Sequence, residues 1–172
     1  MLYQKHDGDS MKTKKLTVMA MTTAVAMILS FVESQIPAFV AVPGVKIGLA
    51  NIAVVFALYR LGWKEAVAIS LVRVVLVSML FGSIASLFYS LAGAVLSLTG
   101  MGLLKKTGKF TEIMISVTGG ILHNIGQIGM ACLILETAAL RYYLPFLLIS
   151  GIIAGIVVGI LSAVLVQRIK LP

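Results

Sequence analysis

Apolar residues in this chain come in blocks of membrane-crossing length, punctuated by short polar stretches, rather than in the one-faced stripe of a water-exposed helix. The first block runs from about residue 16 to 36, behind Lys12, Lys14 and Lys15. It ends at PAFVAVPGVK, a two-proline stretch that cannot continue a helix. Further blocks cover about 47–61, 64–81, 84–104, 113–136 and 143–167. A crossing takes about 20 residues, so the second block is tilted or is flanked by chain that dips into the membrane. The pattern predicts an all-α membrane protein with six transmembrane helices. Residues 16–172 form a single domain behind a polar tail at 1–15. The first ten residues, MLYQKHDGDS, precede a second Met11; they read as a disordered tail, an upstream start or an appended segment, and suggest no function.

Composition supports lipid as the solvent. The chain of 172 residues is 60% hydrophobic and 12% charged, with a mean hydropathy of +1.08. Soluble domains carry about 25% charged residues. The first apolar block is too long for a signal-peptide core and lacks a cleavage site, so no removable leader is expected. A net charge of +8 would suit nucleic acid if it were clustered, but the cations sit between apolar blocks. No nucleic-acid partner is expected; the pattern is a topology signal. With alternating ends, Lys5, Lys12, Lys14, Lys15, Arg60, Lys64, Lys105, Lys106, Lys109, Arg168 and Lys170 share one side, and Lys46 and Arg141 the other. The richer side is cytoplasmic by the positive-inside rule, which places both termini inside a multi-pass protein of the cell membrane. Cys132 is the one cysteine, so no intrachain disulfide can form.

Polar residues inside apolar blocks are costly in hydrocarbon and therefore mark candidate sites. Arg73 and His123 each lie about 9–10 residues from a cytoplasmic end, near mid-membrane at a rise of about 1.5 Å per residue. Asn51, Tyr89, Ser90 and Gln127 lie further outward on three helices, with Asn124 beside His123. These groups suggest an outward-opening pocket with Arg73 and His123 near its floor. Each has a plainer reading. His123 and Gln127 can form interhelical hydrogen bonds, Arg73 can pair with Glu33 or a carbonyl, and Tyr89 can be a rim residue. Ser83, Ser86, Ser90, Ala94 and Ser97 form a small-residue stripe that suits helix packing. So do Gly151, Gly155 and Gly159. Ala20 and Ala24 form a small-xxx-small pair that suits either an internal or an external helix.

Catalytic chemistry is sparse. The six acidic residues are Asp7, Asp9, Glu33, Glu65, Glu112 and Glu136, and none forms the paired-carboxylate motif that holds Mg²⁺ on a diphosphate. Gly102 to Lys109 has one residue too many for a phosphate loop and lacks its Ser/Thr. No catalytic residue, metal site or cofactor is expected, the chain is not read as an enzyme, and uphill transport would need ATPases on other subunits.

Three motifs in order, Pro43-Gly-Val-Lys-Ile-Gly-Leu-Ala-Asn51, Phe88-Tyr-Ser-Leu-Ala-Gly-Ala-Val-Leu-Ser97 and His123-Asn-Ile-Gly-Gln127, resemble the Gx transporter family. Its members are also labelled heptaprenyl diphosphate synthase component I. The family is similar to the substrate-binding (S) components of energy-coupling factor (ECF) transporters, six-helix bundles that capture a small-molecule substrate outside the cell. The resemblance implies a transmembrane coupling subunit and two ABC-type ATPases as partners. It implies that Ala20 and Ala24 form the coupling contact and that residues 37–46 form a lid. It also implies a substrate site at Lys46, Asn51, Arg73, Tyr89, Asn124 and Gln127. The leading expectation is an importer component that captures a micronutrient or an isoprenoid- or quinone-related solute. The alternatives are a membrane subunit associated with polyprenyl diphosphate synthesis and a scaffold without a ligand.

Overall fold

The computed structural model describes residues 3–35 and 48–169, with side chains from residue 12 onward. Among them are six α-helices: α1 (Tyr3–Gln35), α2 (Ala50–Arg60), α3 (Trp63–Phe81), α4 (Ile84–Thr107), α5 (Glu112–Ile134) and α6 (Leu144–Arg168). A 3-10 helix, Ala138–Tyr143, leads into α6. No strand occurs among the described residues. Helix α1 is continuous from Tyr3 into the first apolar block. No proline interrupts this stretch, so the helix nucleated by the apolar block extends backward through it.

Local chemistry sets the boundaries. At the α2–α3 reversal the Leu61 and Gly62 N–H groups both donate to the Ala57 carbonyl at 2.9 Å. Gly62 takes φ 122° there, a conformation closed to side-chain-bearing residues. Ser83 and Ser86 cap α4 reciprocally through side chain and backbone. The Thr111 hydroxyl accepts the Met114 N–H at 3.3 Å to start α5.

Among the described residues four segments are long and apolar enough to cross a membrane: the Lys12–Gln35 part of α1, α4, α5, and α6 with its 3-10 lead. The other two helices differ for physical reasons. With 11 residues, α2 rises about 16 Å, roughly half of a hydrocarbon core of about 30 Å. Lys64, Glu65 and Arg73 all fall within α3, which lowers its apolar character.

Around the bundle the helices follow the order α1, α3, α4, α5, α6, α2, with α2 also against α3. This wedges the shortest helix inside, and all seven residues from Ile52 to Leu58 are buried. Val55, Leu58, Ile69, Leu98, Ile115 and Val158 form the core around it. Outward, α6 exposes Ile149, Ile153, Ile156 and Ile160, an arrangement stable when the surroundings are acyl chains.

One end of the bundle gathers cations. Lys15 pairs with Glu65 at 2.5 Å. Arg60 donates to the Ile169 carbonyl, and Lys105 donates to the Leu58 carbonyl while lying 4.9 Å above the Tyr59 ring. Lys15 of α1 and the start of α3 therefore lie at the end of the bundle where α2, α4 and α6 finish, as the alternating assignment of cations expects.

The glycines of α6 pack internally. A Cβ on Gly155 would lie 2.6 Å from the Val117 Cα, and one on Gly159 would lie 2.7 Å from the Ile113 Cα. These glycines let α5 and α6 approach backbone to backbone. Between α4 and α5, a Cβ on Gly126 would lie 2.7 Å from the Ala92 carbonyl oxygen.

Candidate binding cavity

A cavity of about 130 Å³ lies within the bundle and receives side chains from all six α-helices. Toward one end α1 contributes Ser30, Glu33 and Ser34, and α2 contributes Asn51 beside Gly48. From α3 come Arg73 and Ser78, and from α4 come Ser86, Ser90 and Ser97. Ser116, His123, Asn124 and Gln127 project from α5, while Gly151, Ala154 and Gly155 of α6 form an apolar wall. The lining reaches from the last turn of α1, away from the cationic end, to Ser97 and Ser116 deep in the bundle.

Hydrogen bonding within this lining is incomplete. Ser30 returns its hydroxyl to the Ala26 carbonyl at 2.9 Å, and Ser86 is occupied in the α4 cap at 2.7 Å from the Ser83 carbonyl. The Glu33 Oε1 accepts the Gly48 N–H at 2.5 Å, tying the end of α1 to the residues leading into α2. The Asn124 Nδ2 donates to the Leu147 carbonyl at 2.5 Å, which binds α5 to α6. By contrast, the Arg73 Nε is inaccessible and without a hydrogen-bond partner. The Asn51, Ser90, Ser97, Ser116 and Gln127 side chains make no hydrogen bond to described residues. A polar group in an apolar interior costs roughly 1–3 kcal/mol or more if left unsatisfied. So many converging on one space require water or a polar solute to complete them.

Of the residues singled out by sequence, the fold brings Asn51, Arg73, Ser90, His123, Asn124 and Gln127 to this one cavity. His123 packs over Gly93 of α4, where a Cβ would lie 2.9 Å from its Nδ1. Tyr89 does not line the cavity. Ser86, Ser90 and Ser97 point inward, and one residue before Ser90 is about 100° around the helix. Its neighbour Phe88 lines a separate apolar surface groove with Ile84, Ala85, Met130 and Ile134. Lys46 and the stretch 37–46 lie outside the described residues. The alternative Arg73–Glu33 ion pair does not form among the described residues, although both line the cavity.

Sequence reasoning offers Glu33 only as an alternative partner for Arg73, reads Ser86 and Ser97 as packing residues, and passes over Ser30, Ser34, Ser78 and Ser116. The i, i+3, i+4 spacing of Ser30, Glu33 and Ser34 is the signal that would have placed them together. Ala20 and Ala24 are exposed on α1, opposite the buried Thr22, Ala26 and Ser30, so the bundle itself does not use this pair.

Fold and cavity together define an all-helical membrane protein with a polar chamber enclosed by its helices. The chain belongs to the heptaprenyl diphosphate synthase component I family, whose model matches residues 22–165. That match spans the motifs around Asn51, Ser90 and His123. No curated protein and no solved structure matches the chain.

Proposed function

We propose that this protein is the substrate-binding (S) component of an ECF-type importer, with six crossings and both termini in the cytoplasm. It captures a small micronutrient from outside. The observation that carries the reading is the cavity, in which hydroxyls, amides and a guanidinium without hydrogen-bond partners among the described residues converge from α2, α3, α4 and α5. A scaffold would pair these groups with one another. In this reading Arg73 holds an anionic part of the solute, Asn51 and Gln127 orient it, and the glycine-lined wall of α6 accommodates an apolar portion. The chain performs no chemistry. A transmembrane coupling subunit and two ABC-type ATPases supply the energy, docking through the exposed Ala20–Ala24 face of α1.

The family's description favours a second reading, a membrane subunit associated with heptaprenyl diphosphate synthesis. Affinity purification from native membranes in mild detergent, followed by mass spectrometry, separates the two. Co-purifying ATPases with a membrane coupling subunit are the expected result. A soluble prenyl synthase in their place would replace the importer reading with the second.

A further inference from the structure

The cavity contains both signs of charge. Arg73 projects from the middle of α3 and Glu33 from the last turn of α1 into the same space, and the field of the Glu33 carboxylate reaches Arg73. Opposite charges in a low-dielectric interior attract strongly, yet among the described residues these two form no ion pair. Glu33 is held back by its scaffold, since Oε1 accepts the Gly48 N–H at 2.5 Å. Its other oxygen has no partner among the described residues, and neither does the Arg73 guanidinium, whose Nε is sealed from solvent. Around them stand Asn51, Ser90 and Gln127, neutral groups that can donate or accept.

A separated cation and carboxylate facing one small chamber set the electrostatic profile of what fits there. A solute with only an anionic group satisfies Arg73 but leaves the carboxylate facing like charge or an apolar surface. A polyanion such as a diphosphate fits worse, because the Glu33 carboxylate lining the same chamber repels its charge. A solute bearing one anionic group and one protonated nitrogen satisfies both walls through charge-assisted hydrogen bonds. Building on the binding-protein reading above, we propose that the cavity takes a small zwitterionic solute, with its anionic group on Arg73 and its protonated nitrogen on Glu33. Glu33 then determines specificity: it selects against anions lacking the nitrogen and excludes diphosphates.

The test uses the full chain in lipid nanodiscs, incubated with a small-molecule extract of cells to which isopentenyl diphosphate is added. After washing, retained solutes are released by denaturation and identified by mass spectrometry. The expected result is enrichment, over empty nanodiscs, of a compound carrying both an acidic group and a basic nitrogen. Glu33→Gln should lower its retention by roughly tenfold or more, the scale of one hydrogen bond to a charged group. Arg73→Met should abolish retention. If Arg73→Met does not fold, Glu33→Gln and the charge-keeping Arg73→Lys carry the test, with Arg73→Lys expected to retain the compound more weakly. Retention of isopentenyl diphosphate or of an amine-free anion overturns the proposal, and so does a Glu33→Gln variant equal to the wild type. A wild type that retains nothing overturns the binding-protein reading itself, and this proposal with it.

Discussion

Single residues in this bundle divide by what a substitution would meet. Gly155 faces the α5 backbone, where a Cβ would stand 2.6 Å from the Val117 Cα, whereas a Cβ on Gly129 would meet nothing within 4 Å. Gly155→Val should therefore destabilise by about 1–3 kcal/mol through overpacking, and Gly129→Ala should stay within about 0.5 kcal/mol. Thermal unfolding of the two variants side by side in the same detergent checks the contrast. Asn124 shows how one residue can serve packing at the edge of a site. Its Nδ2 donates across to the Leu147 carbonyl at 2.5 Å, so Asn124→Leu should cost about 1 kcal/mol in the same assay. A change near zero would show that this bond adds nothing to α5–α6 docking.

At the scale of elements, α1 has two faces with different uses. Thr22, Ala26 and Ser30 are buried against the bundle, while Leu16, Met21 and Ile28 are exposed together with Ala20 and Ala24. Adding bulk to the outward face removes no internal contact. Ala20→Trp combined with Ala24→Trp should leave the melting temperature of the isolated protein close to that of the wild type and eliminate co-purification of the coupling subunit and ATPases. Undiminished co-purification would move the docking surface elsewhere. The short α2 is the counterpart of α1. Packed against α1, α3 and α6, it is stabilised by burial on all sides rather than by its length.

For the whole molecule, the ends carry the testable asymmetry. Lys15, Arg60 and Lys105 meet at one end through the Lys15–Glu65 pair and the bonds to Ile169 and Leu58. Arg141 lies in the 3-10 helix at the other end. The chain's single cysteine, Cys132, makes labelling direct. In a Cys132→Ser background, Arg141→Cys should react with an impermeant maleimide on intact cells, and Lys106→Cys should react only after the membrane is opened. The reverse pattern would invert the topology on which capture from outside depends.

Much of this architecture is written in local properties of the chain. Six apolar blocks become six helices, and apart from the start of α1 their boundaries lie close to those read from the sequence, because block length, prolines and capping residues act within a few positions. The segregation of Lys15, Arg60, Lys64 and Lys105 to one end follows from counting alternations. Arg73 and His123 stand out because polar groups are expensive in hydrocarbon wherever their neighbours lie. Rotation about each helix axis is a different matter. Lipid is as apolar as a protein core, so hydrophobicity along a membrane helix does not distinguish inward from outward. Packing made that choice: it turned Tyr89 away and Ser97 inward, engaged Asn124 with α6, seated the α6 glycines on α5, and brought Glu33 into the same chamber as Arg73. One residue's step of about 100° separates a cavity wall from a lipid-facing surface, and only contacts between helices distant in sequence set that angle.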